Sequence, residues 1–220
     1  MYGYVQEGRQ GSEERKQFLG AWFYCLTLPT GRGFSHIRRR KLWKKMQRAG
    51  VRRAVLPAAL VDEAAGWGIS AVEVHPLRRA LLPQLLDCCP ALEGKTVRLV
   101  ASCVTAAVRE AAEVLARRAR YVDLQVGQGS EELAQYLQRR YGLAVGAVNA
   151  VVLTVRFDGG GIGRSIHLGE DCAAYENIVY DAPILGAEEI PAEEQLLAAL
   201  LEGEYIKKEE IQVKSILFNA

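Results

Sequence analysis

Short apolar runs alternate with longer segments of helical period along most of the chain. The apolar runs are rich in β-branched and aromatic residues and end near glycine or proline, as strands do. The segments between them repeat apolar residues every three or four positions, which is typical of amphipathic helices. The predicted strands are Trp22–Thr27, Val51–Leu56, Ser70–Val74, Thr96–Val100, Tyr121–Val126 and Leu143–Val148, and the predicted helices are Ser35–Ala49, Ala58–Trp67, Pro76–Leu86, Val104–Arg118 and Ser130–Tyr141.

This alternation predicts an α/β fold. Strands separated by helices of this length form parallel sheets that helices cover on both faces. The strands fall into two β-α-β-α-β halves, joined by the helix Pro76–Leu86. That layout is typical of a Rossmann-like, doubly wound parallel sheet, so we expect the strands between Val51 and Val148 to lie parallel in one sheet.

The pattern changes after residue 150. Two apolar runs, Val151–Phe157 and Ser165–Leu168, flank a glycine-rich segment and predict a β-hairpin. A helix from Pro191 to Glu202 and a strand from Ile211 to Phe218 follow. We therefore expect a Rossmann-like α/β domain over residues 1–150 and a C-terminal extension over residues 151–220, packed on or beside the sheet.

Composition narrows the class of protein. Half of the residues are hydrophobic and the net charge is +2, as in ordinary globular proteins. No run of about 18 apolar residues occurs without a charge, and the N-terminus has no signal-peptide pattern, so we expect a soluble cytoplasmic protein. The five cysteines form no Cys-x-x-Cys pair and the three histidines lie far apart, so neither disulfides nor a metal site is expected.

The first candidate site is the loop after Val100, because ligands of doubly wound sheets bind beyond the carboxyl ends of strands. The region Lys95–Val148 resembles a dinucleotide-binding half in its architecture. The family's Gly-x-Gly-x-x-Gly positions are occupied here by Ala101, Cys103 and Ala106. These side chains stand where a pyrophosphate needs bare backbone, so we expect no dinucleotide to bind. The other candidates for cofactor contact in this half are Ser102, Thr105 and the acidic residue Asp123.

Two further hypotheses for the region Lys95–Val148 concern the thiol of Cys103 and the turn at Gly127-Gln128-Gly129. Cys103 lies near a predicted helix N-terminus, which favours a thiolate, but no histidine lies near it to act as a base. A small buried residue is the better interpretation. The turn Gly127-Gln128-Gly129 offers backbone amides for an anion, yet Glu131 and Glu132 follow in the first turn of the next helix. A flexible turn with Ser130 as N-cap is the better interpretation there.

A basic segment runs from Arg38 to Arg53. It holds nine basic residues and no acidic one, whereas Glu170–Glu210 holds twelve acidic residues and two lysines. Trp43 falls on the same helix face as Met46, so it is expected to point inward rather than stack on a base. We expect this face to contact acidic protein surface, in the same chain or in a second copy, and we regard nucleic acid as the less favoured partner.

The remaining motifs specify little. The segment Asp158–Arg164 has glycines but no Lys-Ser/Thr pair of a phosphate-binding loop, so it is expected to be a hairpin tip. Glu170-Asp171 is a pair of carboxylates with no further ligand pattern. No catalytic motif and no named cofactor emerge. The sequence therefore favours a non-catalytic binding or regulatory module for a small molecule or a protein, with an enzyme using a nucleotide-type cofactor at residues 101–106 as the alternative.

Overall fold

The computed structural model describes residues 1–31, 35–89, 92–146, 150–159, 164–169, 176–186 and 193–218. Its strands are β1 Tyr2–Gly8, β2 Ser12–Phe18, β3 Ala21–Pro29, β4 Arg53–Val55, β5 Ser70–Ala71, β6 Thr96–Cys103, β7 Tyr121–Gln128, β8 Ala144–Val145, β9 Val151–Arg156, β10 Ser165–His167, β11 Glu176–Asp181 and β12 Gln212–Phe218. Its α-helices are α1 Ser35–Arg48, α2 Val61–Ala65, α3 His75–Ala80, α4 Leu82–Asp87, α5 Ala106–Ala116, α6 Ser130–Tyr141, α7 Pro183–Gly186 and α8 Glu194–Glu202.

The chain divides into two compact units. The first unit comprises Met1–Val74 and Ala182–Glu210, and the second comprises His75–Asp181 and Ile211–Ala220. The division differs from the predicted boundary near residue 150, because the strand that begins at Val151 joins the same sheet as β6. The C-terminal segment likewise contributes to both units rather than forming one extension.

The sheet of the first unit has the order β2-β3-β1-β4-β5. All its neighbouring strands are parallel except β2 and β3, which form a hairpin around Leu19 and Gly20. Both turn residues have positive φ, 49° and 86°, as a two-residue hairpin turn requires. On α1, Trp43 and Met46 are buried in the core, as their spacing predicts.

A glutamine ties the C-terminal helix of the first unit to its sheet. Gln195 of α8 accepts a hydrogen bond from the Leu56 backbone N–H at 2.7 Å and donates one to the Leu56 carbonyl at 3.0 Å. The side-chain amide thus makes the two hydrogen bonds that a neighbouring strand would make with Leu56, just beyond β4. This pairing satisfies both backbone groups of a buried residue, which would otherwise be costly to leave without partners.

The five-stranded sheet of the second unit is fully parallel, with the order β10-β9-β6-β7-β8. Counted in chain order, its first strand is central, the next two lie on one side and the last two on the other. This is the doubly wound order 3-2-1-4-5. The predicted α/β class with a Rossmann-like parallel sheet is therefore confirmed. The inward face of α5 consists of Val108, Ala111, Ala112 and Leu115, all buried as predicted.

Three details of the predicted fold are wrong. The parallel strands belong to two sheets, one in each unit, rather than to one. The strands at 151–156 and 165–167 pair parallel instead of forming a hairpin, since both continue the sheet beside β6; the antiparallel pair of the C-terminal part is β11 with β12. The helix predicted at Pro76–Leu86 is broken between α3 and α4, because Pro83 has no N–H for a helical hydrogen bond.

Candidate functional site

A crevice of about 230 Å³ opens at the carboxyl ends of β6 and β9 in the second unit. After β8 the chain continues on the other side of β6, so these two strands flank the point where the winding of the sheet reverses. Ligands of open α/β sheets bind at this position. The lining consists of Arg79 from α3, Ala101, Ser102, Cys103, Thr105, Ala107 and Val108 from β6 and α5, and Phe157, Asp158, Leu168 and Gly169 from the ends of β9 and β10.

The predicted loop after Val100 contributes four of these residues, Ala101, Ser102, Cys103 and Thr105. Its local structure differs from the prediction. Strand β6 continues through Cys103, and α5 begins at Ala106 rather than at Val104. Thr105 is the N-cap, and its Oγ1 accepts a hydrogen bond from the Val108 N–H at 3.2 Å. The first turn of α5 therefore faces the crevice with its positive dipole end.

Asp158 closes one side of the crevice. It follows β9 directly, and its Oδ2 accepts hydrogen bonds from both the backbone N–H and the hydroxyl of Ser102, the latter at 2.6 Å. In a dinucleotide-binding loop, backbone N–H groups at this position hold the pyrophosphate. Here a carboxylate of the same chain occupies one of them. The sequence predicts a hairpin tip for Asp158, whereas the parallel pairing of β9 with β6 places it at this edge of the sheet.

Arg79 supplies the positive charge of the crevice. Its Nε donates to the His75 carbonyl at 3.3 Å, one turn earlier on α3, and within the described part of the chain it has no carboxylate partner. The side chain is half-buried. The crevice thus combines a guanidinium, the N-terminus of α5, the hydroxyls of Ser102 and Thr105, and the Asp158 carboxylate. The sequence offered no sign of Arg79, because this residue lies on α3, 17 residues before β6 begins.

Cys103 is exposed at the end of β6, contrary to the expected small buried residue. The described lining of the crevice contains no histidine, the usual partner of a nucleophilic thiol. Burial raises the pKa of the Cys25 and Cys89 thiols to about 11. All four described cysteines, Cys25, Cys88, Cys89 and Cys103, are free thiols.

Asp123 does not reach the crevice. It lies in the amino-terminal half of β7, where its Oδ2 accepts a hydrogen bond from Arg98 Nε of β6 at 2.7 Å. The pair is directly opposite in the parallel register, so it links two neighbouring strands. A carboxylate that contacts a ribose is expected at the carboxyl end of its strand, whereas this one forms an ion pair within the sheet.

Gly127 and Gly129 pack against the crevice loop rather than line the crevice. A Cβ on Gly127 would lie 2.3 Å from the Ser102 carbonyl oxygen, so only glycine fits there. Gly129 has a φ of 85° and is the N-cap of α6, the role that the sequence assigned to Ser130. The Val104 N–H donates to the Gln128 carbonyl at 2.9 Å. These contacts hold the loop between β6 and α5 against the end of β7.

The basic segment Arg38–Arg53 is partly neutralised within the first unit. Arg39 pairs with Glu7 and Glu63, and Lys45 pairs with Glu13. Arg53 forms a two-point pair with Glu202, with Nη1 2.8 Å from Oε2. Arg53 is thus the one residue of the segment whose described ion pair reaches the acidic stretch Glu170–Glu210.

Two sequence motifs fall partly or wholly outside the described residues. Residues 160–163 of the glycine segment, and Glu170-Asp171, lie outside the described residues. Among the described residues no cluster of three metal-ligating side chains occurs. No helix in the same residues is long and apolar enough to cross a membrane.

Comparison with known proteins adds little to this geometry. No protein-family model matches the chain, and no curated protein matches it. One similar solved structure is that of L-tryptophan dehydrogenase from Nostoc punctiforme, at 14% sequence identity and a TM-score of 0.31. The similarity covers 85% of this chain and 57% of that chain. At these values it carries no argument about activity, and the Rossmann-like assignment rests on the strand order of the second unit.

Proposed function

We propose that this protein is a non-catalytic binding or regulatory module that holds a small polar ligand in the crevice between β6 and β9. The observation that carries the proposal is the convergence of Arg79, Ser102, Thr105 and Asp158 at the point where the sheet winding reverses. Doubly wound sheets bind ligands at this point, and a few convergent polar groups in a concave site are the usual mark of small-molecule binding.

The size and chemistry of the crevice argue against a dinucleotide. A volume of about 230 Å³ is below the range of about 300–1,000 Å³ that drug-sized ligands occupy. Asp158 already accepts the Ser102 N–H, and its negative charge opposes a pyrophosphate at that position. Side chains at Ala101 and Cys103 also prevent the close backbone approach that glycines allow. The alternative is an enzyme with a nucleotide-type cofactor at residues 101–106. It would require a larger crevice, displacement of the Asp158 carboxylate, and closer backbone approach than Ala101 and Cys103 allow.

The lining suggests the class of ligand. An anionic group would lie between the Arg79 guanidinium and the N-terminus of α5, where charge and helix dipole both favour it. A hydrogen-bond donor on the same molecule would face the Asp158 carboxylate. A compact organic acid that also carries a hydroxyl or amino group has both features. We propose a cytoplasmic location because the described cysteines are free thiols.

The proposal is tested by ligand-induced stabilisation of the full chain. Small hydroxy acids, amino acids and phosphate esters are screened by thermal shift, with NADH and NADPH as comparison ligands. We expect one of the small acids to raise the melting temperature in a concentration-dependent way, because a ligand that binds only the folded state stabilises it. Calorimetry should show no saturable binding of NADH or NADPH at micromolar concentrations.

The matched variants are Arg79→Gln and Arg120→Gln. Both remove one guanidinium, but Arg120 is exposed beside Tyr121 and lies outside the crevice lining. The small acid should bind Arg120→Gln as it binds the natural chain and bind Arg79→Gln at least about tenfold more weakly, the loss of about 1.4 kcal/mol. If no small acid binds, the proposal is wrong. Saturable NADH or NADPH binding would favour the enzyme instead.

A further inference from the structure

The solvent-facing side of α1 is a continuous cationic surface. Arg40, Lys41, Lys44 and Arg48 are exposed and fall within about 100° of the helix circumference at 3.6 residues per turn. We name these four residues the α1 basic face. None of the four forms an ion pair with any described residue, whereas their neighbours Arg39 and Lys45 pair with carboxylates of the first unit.

The opposite side of α1 fixes this face toward solvent. Trp43 and Met46 are completely buried in the core of the first unit. The Trp43 Nε1–H donates to Glu63 Oε1 at 2.8 Å, and Arg39 pairs with the same carboxylate. The helix therefore cannot rotate to bury its cations, and their pattern of charge is a permanent feature of the surface.

We propose that the α1 basic face binds the phosphate backbone of a nucleic-acid duplex, without reading its sequence. Arg40, Lys44 and Arg48 are spaced four residues apart and span about 12 Å along the helix axis. A DNA duplex presents one phosphate per about 1.7 Å of its axis, so about seven phosphates lie within that length. These phosphates belong to both strands, and the face spans enough of the duplex axis to contact several of them.

An acidic protein surface fits this face less well, which reverses the preference drawn from the sequence alone. Protein interfaces depend on a buried core of aromatic and apolar anchors, surrounded by a polar rim. On the described residues of α1, the large hydrophobic side chain exposed beside the face is Ile37, at 43% exposure. Exposed pairs with carboxylates are individually weak. A duplex, in contrast, releases condensed counterions when each phosphate is neutralised, so cations alone suffice for binding.

The side chains around the face favour contact with the phosphate backbone over recognition of bases. Base recognition needs side chains that reach base edges or stack on bases. Trp43 is buried, and the Gln47 amide donates to the Trp67 carbonyl. The four cations of the face suit phosphate oxygens; Arg and Lys also bind guanine edges, so the proposal of binding without sequence preference rests on the lack of an exposed aromatic or amide side chain among these four residues.

The test measures binding of the full chain to a short mixed-sequence DNA duplex by fluorescence anisotropy over a range of salt concentrations. Four phosphate contacts predict a slope of about −3.6 in log K against log salt, and hence about 150-fold weaker binding at about 200 mM than at about 50 mM salt. The variant Arg40→Gln/Lys44→Gln/Arg48→Gln keeps good helix formers and should lower the slope to about −1. Its binding at low salt should fall at least about tenfold.

The matched control is Arg109→Gln/Arg120→Gln/Arg139→Gln, which removes the same charge from exposed positions of the second unit. It should bind the duplex as the natural chain does, and circular dichroism should show both variants folded. The proposal is overturned if the natural chain fails to bind the duplex at low salt, or if both variants lose binding equally. Tighter binding of polyglutamate than of the duplex would overturn it in favour of an acidic protein partner.

Discussion

Gly127 lies where the carboxyl end of β7 passes the carboxyl end of β6. A methyl group at this position would stand 2.3 Å from the Ser102 carbonyl oxygen, well inside van der Waals contact. We predict that Gly127→Ala lowers the free energy of unfolding by about 1–3 kcal/mol, because backbone atoms of β6 must shift to accommodate the methyl group. Chemical denaturation gives the measurement.

Gly186→Ala is the matched control for this substitution. No atom lies within 4 Å of a Cβ at Gly186, so the change should alter stability by less than about 0.5 kcal/mol. If Gly127→Ala is as stable as Gly186→Ala, then the close approach of β6 and β7 does not depend on the glycine.

At the scale of single residues, the sequence predicts part of the crevice and misses the rest for an identifiable reason. Ala101, Ser102, Cys103 and Thr105 follow a recognisable strand, so their place at the sheet edge could be inferred. Arg79 lies on a helix that no sequence pattern assigns to the sheet edge, and Asp158 follows a strand that the sequence predicts as half of an antiparallel hairpin. Arg79 and Asp158 join Ser102 in the lining of the crevice across 23 and 56 residues of chain, a proximity that local patterns do not encode.

At the scale of elements, Glu63 links α2 to α1 through Arg39 and Trp43. The Arg39 guanidinium, followed by the Trp43 N–H, holds the pKa of Glu63 below its ordinary value of 4.5. Because the folded-state pKa is lowered, the charged carboxylate stabilises the fold above pH 4.5, and this contribution is lost as the pH falls through the folded-state pKa.

We therefore predict a pH-dependent effect of Glu63→Gln. The variant should be less stable than the natural chain by about 1 kcal/mol at neutral pH, and the difference should shrink as the pH falls below about 4.5. Urea denaturation at a series of pH values measures this. Asp62→Asn, an exposed change on the same helix, should show little effect, and a constant difference for Glu63→Gln at every pH would contradict the assigned role of the ion pair.

Other elements show which patterns allow prediction. The strands β6 and β7 and the helix α5 were predicted because their buried positions recur with the period of their structure. Strand β2, Ser12–Phe18, is charged and exposed along almost its whole length, so it has no apolar alternation to detect. It is a strand because it pairs with β3 at the edge of a sheet, and its charges are typical of a protected edge.

At the scale of the whole molecule, the sequence predicts the class of fold but not the grouping of strands. Parallel strands with similar composition occur on both sides of Val74, and nothing local assigns them to one sheet or two. The grouping follows from which apolar faces share a core. Leu60 and Ile69 lie in the core of the first unit, whereas Leu99 and Val122 lie in that of the second.

Two separate cores lead to a prediction about unfolding. All three tryptophans, Trp22, Trp43 and Trp67, belong to the first unit, so tryptophan fluorescence reports on that unit, whereas far-ultraviolet circular dichroism reports on both. Leu115 is fully buried in the core of the second unit, and Leu115→Ala should destabilise that unit by about 2–5 kcal/mol. We expect an earlier transition in circular dichroism, while the fluorescence midpoint changes little.

The matched substitution is Leu60→Ala, which removes the same atoms from the core of the first unit. It should move the fluorescence midpoint to lower denaturant, because the tryptophans share the unit that is weakened. The comparison of the two variants distinguishes independent unfolding of the two units from unfolding in a single transition. A domain with its own core is expected to unfold as a unit. If Leu115→Ala shifts fluorescence and circular dichroism together and by the same amount, the two cores unfold in one cooperative transition, and the expectation of separate transitions is wrong.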